Sequence, residues 1–376
     1  MYDGALIDCD IHYLPRSESD WLPYLEPRWR EFVESPGDGA TVPISGQFIS
    51  VTEQQEGVFR HDSFPGDGSP PGADYELMRE QYLDRFDVGA ALLTKSAGPT
   101  STNGELVAAI CRAWNDWLVA EWLDGRDDDR LFGTLFVPTH DPLVGAAEVR
   151  RAGAHPKFAA AHLFHAIARP FGHSIYDPVY AAAAEMDLPI YVHGATGEIS
   201  GSDAPPASGG AVLHYRLEMF ASLHHPMAHH LTSMIVHGTF EKFPGLRLVI
   251  AEEGIAWLPW LMTQLDANYE LMKRESKWVR RRPSEYLRER LGVSTQPIEA
   301  SIDDRRALVD YLETVEGIEE LLCFSSDYPH WDADEPTFIG TILPPAWHDK
   351  VFYDNARRLL RLPDRVPVTA PVVASG

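Results

Sequence analysis

The chain of 376 residues predicts an α/β fold, a (β/α)8 TIM barrel with an inserted loop or flap region near the N-terminus. Eight short apolar runs alternate with stretches whose apolar residues fall three and four apart, and most of the runs are apolar on both faces, as the strands of a covered parallel sheet are. Four of the runs end on a group able to hold a metal or a proton, always at the C-terminal end. That is the rim where a barrel of this kind gathers its loops.

The first run, Ala5 to His12, ends in Asp10 and His12. Two residues apart on an extended backbone, their side chains share a face and can close on one cation. Such a triplet alone is weak, because an Asp at a strand end often serves a turn. Residues 34–74 are rich in Gly, Pro, Asp and Ser, with only short alternating pieces such as Gln47 to Val51; this is too long for an ordinary connection and reads as a hairpin flap over a site.

Helical spacing then covers Tyr75 to Phe86, followed by a second strand at Val88 to Thr94 and a long helix from Gly104 to Leu123. Strands at Phe132 to Val137 and Phe158 to Phe164 flank a helical stretch from Pro142 to Ala152. An Ala-rich helix opens at Tyr176-Asp177-Pro178 and runs to Met186, before the fifth strand, Leu188 to Gly194, which carries His193. A Gly/Pro/Ser loop from Gly197 to Gly210 leads to a helix spanning about Tyr215 to Phe240. The sixth strand, Leu246 to Gly254, carries Glu252; the seventh is short, Leu291 to Thr295; the eighth run ends at Asp327. Residues 1–360 thus read as one barrel domain, and the Pro- and Val-rich tail 361–376 is expected to leave it.

Composition narrows the partners. A formal net charge of -24 lacks the basic footprint that nucleic acid or an anionic membrane requires. Cys9, Cys111 and Cys323 lie far apart, two of them inside strands, which suits reduced core thiols and a cytoplasmic setting. The first residues, Met1-Tyr2-Asp3-Gly4, carry no basic or long apolar segment, and no window reaches the roughly 18 apolar residues of a membrane span. Neither export nor anchoring is expected.

If the barrel closes, Asp10, His12, His193 and Asp327 converge at one rim with Glu252 beside them. Two imidazoles and two carboxylates form an N/O set suited to one divalent metal, zinc first, with manganese, iron or cobalt also accommodated. Asp8 is expected to stay outside that set, accepting a bond from a backbone group or a ligand. On the same rim, His330 and Trp331 can shape a substrate pocket. His162 and His165 flank the end of the fourth strand, and Arg60, with His61 in the long early loop, can fold over the mouth to recognise a substrate carboxylate. The cluster His224, His225, His229 and His230 falls in a helical run and reads as a wet face or a subunit contact.

Four motifs occur in order: Ile7-Asp8-Cys9-Asp10-Ile11-His12, Leu188-Pro189-Ile190-Tyr191-Val192-His193, Phe240-Glu241-Lys242-Phe243-Pro244-Gly245-Leu246, and Ser326-Asp327-Tyr328-Pro329-His330. Together they resemble the amidohydrolase-related branch that includes aminocarboxymuconate semialdehyde decarboxylase, from about Leu6 to Leu360. The resemblance implies a barrel, a single divalent metal and a small-molecule substrate, and suggests a homodimer, to which the aromatic-rich stretch around Trp257 to Met272 would lend apolar surface. It places Asp10 and His12 at the first-strand ligand pair, His193 at the fifth-strand ligand, and Asp327 at the eighth-strand aspartate that binds metal and relays a proton.

The family's decarboxylases typically carry a histidine at the end of strand six, where this chain has Glu252. An anionic carboxylate beside metal-bound water suits general-base delivery of hydroxide to a carbonyl. The expected activity is therefore hydrolysis of an amide, lactone or related bond, with Glu252 and Asp327 as catalytic groups; the alternative is non-oxidative decarboxylation of a small unsaturated or aromatic acid.

Overall fold

Apolar segments of four to seven residues, each followed by a polar rim residue and a helix, fold as the alternation requires. In the computed structural model, residues 4–17, 19–34, 59–95, 98, 99, 101, 103–164, 169–194, 216–222, 224–301 and 303–363 are described. Eight strands lie in chain order: β1 Leu6–His12, β2 Val88–Thr94, β3 Leu131–Phe136, β4 Phe158–Phe164, β5 Ile190–His193, β6 Leu248–Ala251, β7 Leu291–Ser294 and β8 Leu322–Cys323. Every adjacent pair is parallel. Helices such as Gly104–Leu118, Pro142–Ala152 and Asp177–Glu185 form the crossovers.

Local chemistry sets the helix starts. Asn103 accepts the backbone N–H of Leu106, and Asp141 accepts those of Leu143 and Val144 with Pro142 at the first turn. The helix expected over Tyr215 to Phe240 is instead three pieces, Arg216–Ser222, His225–Val236 and Thr239–Lys242. Pro226 lacks an N–H and starts the middle piece, and Gly238 at φ +69° ends it. The helix expected from Gly104 to Leu123 ends as an α-helix at Leu118 and continues as a π turn to Leu123.

Alternation along the strands divides the core. On β6, Val249 and Ala251 point into the barrel, where they join Ile7, Leu92, Phe132 and Tyr191, while Leu248 and Ile250 pack against the helices. Ala356, Leu359 and Leu360 join that inner cluster from the C-terminal helix Asn355–Leu359. Arg361 donates to the carbonyls of Phe158, Gly153, His155 and Met186, near the start of β4; the tail beyond residue 363 lies outside the described residues.

The barrel closes between its first and last strands. Cys9 N–H donates to Phe324 O (3.0 Å), Asp327 N–H to Asp10 O (3.0 Å) and His12 N–H to Tyr328 O (2.7 Å). Asp8 secures the same seam, accepting from the N–H of Asp10 (3.0 Å), the N–H of Ser326 (3.1 Å) and the hydroxyl of Tyr82 (2.6 Å). The register of β1 shifts between Asp8 and Ile11. Such a bulge interrupts strict alternation, and it leaves Asp8 on the Tyr82 side while Asp10 and His12 meet the rim residues of the other strands.

Burial pushes the Asp8 carboxyl from 3.8 up to about 7, against the opposing bonds from Ser326 and Tyr82. The folded chain therefore keeps a proton that the unfolded chain releases. Its stabilising effect is full below the unfolded value and is lost as pH rises through the folded one. Urea titrations between pH 4 and 8 should show wild type losing stability relative to Asp8→Asn by up to about 1.4 kcal/mol per pH unit inside that window. Parallel curves for the two proteins would refute the titration.

Candidate metal and active site

The four residues expected as ligands meet. Asp10, His12, His193 and Asp327 offer ligand atoms within 4.8 Å of one another, and all four are buried. A second, overlapping set joins His12 and Asp327 to Glu252 and His330. His12 Nε2 and His330 Nδ1 each lie 2.7 Å from the same oxygen of Asp327, Oδ1. The His12 and His330 rings are 4.4 Å apart.

His193 closes the other side. Its Nδ1 donates to the Gly194 carbonyl, which leaves Nε2 facing Asp10 Oδ2 at 3.3 Å and Glu252 Oε2 at 3.2 Å. Gly194 is required here, since a Cβ would come within 2.5 Å of Glu252 O. The two rim carboxylates sit on strained backbone: Glu252 has φ +54° and Asp327 φ +62°. Side chains larger than glycine rarely adopt this region, and such strain concentrates at functional sites.

The electrostatics follow from burial and charge surplus. Burial alone would raise Asp327, but the charge of His330 and the bonds from His12 and His330 outweigh it and hold the carboxyl far below the usual range. Burial would lower His193, yet the Asp10 carboxylate carries it up to about 9, and His330 is likewise raised by Asp327 against its burial. His12 is lowered, by burial first and then by His330. Glu252 is pushed well above 4.5, by burial and then by the charge of Asp327.

A divalent cation fits this set. Both oxygens of Asp10, Asp327 Oδ2 and His193 Nε2 are buried without a hydrogen-bond partner among the described residues, an arrangement that is costly unless something binds there. The potential that draws a proton onto His193 favours a cation in its place.

The remaining predicted residues divide. His330 lines the site, while Trp331 beside it is 55% exposed. Arg60 turns its guanidinium onto Asp62 at 2.8 and 3.0 Å and anchors its N–H on Pro329 O. His165 lies outside the described residues, as does most of the expected flap. Arg247, a possible competitor for Glu252, pairs with Asp187 instead. His230 stacks on Phe171 and accepts its N–H, so it serves packing.

Sequence reasoning missed three groups. Phe59 bridges to His330 and lays its ring 5.4 Å from that imidazole. Phe136 and Phe164 stack at 5.5 Å and 7°, with Phe164 in register with His193. Alternation on β3 and β4 places these two inside the barrel, and an inward aromatic at a C-terminal strand end is a legible signal. Phe59 gives none.

A sequence profile of the amidohydrolase family matches residues 7–362, and the chain belongs to that family. Among its relatives is the decarboxylase orsB of Emericella nidulans, 29% identical over 192 residues, a match covering 49% of this chain and only 55% of that enzyme. The gamma-resorcylate decarboxylase of Rhodococcus jostii is 27% identical over 321 residues, 78% of this chain and 93% of the enzyme. A dihydroxybenzoic acid decarboxylase from a Polaromonas species, solved with manganese and 2-nitroresorcinol, shares the fold with a TM-score of 0.60 at 16% identity, covering 94% of this chain and 96% of its own.

These relatives overturn the expectation of hydrolysis, since both named enzymes are decarboxylases. The physical reason lies in Glu252. Burial and the Asp327 charge raise the Glu252 carboxyl well above its ordinary value, which weakens it as the anionic base on which that expectation rested.

The purified chain should carry about one divalent ion, as a four-residue set implies, and His193→Ala should lose it when metal content is read by elemental analysis. Affinity measured against a chelator should fall on acidification, because protons compete for His193. Full occupancy in the His193→Ala protein would remove this assignment.

Proposed function

We propose that this chain is a metal-dependent non-oxidative decarboxylase, a carboxy-lyase, acting on a small aromatic acid. The observation that carries the reading is its identity with gamma-resorcylate decarboxylase across 93% of that enzyme's length, joined to a buried donor set at the barrel rim. The aromatic surroundings support it: Phe136 stacks on Phe164, and the Phe59 ring lies beside His330, a setting that suits an aromatic acid.

Asp10, His12, His193 and Asp327 would hold the ion, and their mixed N/O character accommodates zinc or manganese. A divalent ion bound there supplies positive charge that gathers substrate oxygens and stabilises the electron density released as carbon dioxide leaves. That electron pair stays on the ring carbon and must take up a proton. Glu252, 16% exposed at its side chain and next to His193, is placed to give that proton, since burial and the Asp327 charge raise its carboxyl well above its ordinary value. His330 and His12 hold Asp327 far below the usual range, so the two rim carboxyls are shifted in opposite directions, as an acid and its electrostatic partner should be.

We assign the small-molecule partner to this rim and the second copy of a homodimer to an apolar face elsewhere. Val236, Trp260, Met272 and Trp278 are exposed together along a groove beside the helix Trp257–Met272. Light scattering at micromolar concentration should give a dimer; a monomer alone would reject this face. No described helix is long and apolar enough to cross a membrane. The buried free thiols Cys9, Cys111 and Cys323 suit a reducing compartment, the cytoplasm being our assignment.

Incubation with 2,6-dihydroxybenzoate, followed by ultraviolet absorbance and released carbon dioxide, tests the activity. Glu252→Gln should keep the metal and lower turnover about 10²- to 10⁴-fold, the usual worth of a placed proton donor. An enzyme that leaves a panel of aromatic acids untouched while hydrolysing amides or lactones would overturn the proposal.

A further inference from the structure

One buried histidine has no part in the site as described so far. His162 lies on β4 with no exposed surface, two residues before Phe164, and its ring is 6.3 Å from that of His193. Phe136, Phe164 and Tyr191 surround it at 5.2, 4.8 and 5.2 Å between ring centres. Its Nδ1 meets the hydroxyls of Thr94 (3.3 Å) and Thr134 (3.4 Å), whereas Nε2 is buried with no hydrogen-bond partner among the described residues. Thr94 stands in register with His12, so this cluster belongs to the level of the ligand set.

The threonines favour one tautomer. Thr134 has a single hydroxyl hydrogen for Leu93 O (3.4 Å) and Thr94 Oγ1 (3.2 Å); given to the nearer Thr94, it frees the hydroxyl hydrogen of Thr94 for His162 Nδ1. A ring that accepts at Nδ1 must carry its own hydrogen at Nε2 when neutral. Burial, followed by the charges of His193 and His12, keeps the ring neutral. The result is one N–H donor held rigidly beside the site with nothing in the described protein to receive it. An orphan donor so placed is costly unless a ligand occupies it.

We infer that His162 is a substrate-positioning residue whose Nε2–H binds an oxygen of the aromatic acid, either carboxylate or ring hydroxyl. The inference rests on the decarboxylase reading for its ligand and on the Thr134–Thr94–His162 chain for its geometry. Gln places an amide nitrogen near the imidazole Nε2 position, whereas Asn reaches only as far as Nδ1, so the two substitutions separate the donor from the mere presence of a polar side chain.

Two measurements decide it. Nitrogen NMR of histidine-labelled, zinc-loaded protein without substrate, with His162 assigned by its absence in His162→Gln, should report a neutral Nε2–H tautomer; an Nδ1–H or doubly protonated ring overturns the inference. Calorimetric binding of 2,6-dihydroxybenzoate should weaken about 10- to 100-fold in His162→Asn, the cost of an unmet buried bond, and stay close to wild type in His162→Gln, with metal content and melting temperature unchanged. Wild-type affinity in His162→Asn also overturns it. A parallel loss for benzoate places the contact on the carboxylate, and a loss confined to 2,6-dihydroxybenzoate places it on a hydroxyl. If the wild-type protein binds neither acid, the decarboxylase reading fails, while the tautomer still decides the geometry at His162.

Discussion

The junction of β1 with the segment after β8 is the constraint on which the site depends. Asp10 and His12 come from one end of the chain and Asp327 from the other, 315 residues from His12. They meet only because the backbone bonds from Cys9, His12 and Asp327 close the barrel. Asp8 reinforces that closure from the side away from the ligands, and its bonds to Ser326 and Tyr82 fix the register that sets the distance between Asp10 and Asp327. A slip of one residue would turn the wrong side chains to the interior. β8 itself is only two residues long, so side-chain bonds supply the rigidity that a longer ladder would give.

Closure creates an electrostatic surplus, and the chemistry follows from how it is divided. Asp10, Glu252 and Asp327 face the buried imidazoles of His12, His193 and His330. Asp327 stays ionised because two imidazoles share one of its oxygens. Among the described residues Glu252 makes one ion-pair contact, with His193, and burial with the Asp327 charge raises its carboxyl. Backbone strain at both residues indicates that the fold spends conformational energy to aim these two carboxylates at one point, and such strain persists only where the surroundings over-determine it.

Much of this was legible because strand periodicity reports direction. The Asp10–His12 spacing, His193 and Asp327 each ended an apolar run, and a parallel barrel sends every such end to one rim. The sequence could not report what depends on contacts between distant segments. The charge on Glu252 is set by burial and by Asp327, 75 positions along, so its type alone suggested a base. Arg60 was chemically suited to a carboxylate, and its neighbour Asp62 satisfied it first. The long helix expected through residue 240 breaks where Pro226 and Gly238 stand, because a missing N–H and a left-handed backbone outweigh apolar spacing.

On the proposed decarboxylase reading, Glu252 would take over the proton donor's place without changing the reaction. The resemblance places a histidine at this strand end in related decarboxylases, and an imidazole titrates near neutrality without help. A glutamate in water does not, since its ordinary value lies near 4.5. In a buried rim beside the Asp327 carboxylate, its carboxyl is raised well above that value. The substitution that looked like a change of chemistry is thus offset by its surroundings, because what the ring carbon requires is a proton at the right place, and either residue type supplies one once burial and charge have set its affinity.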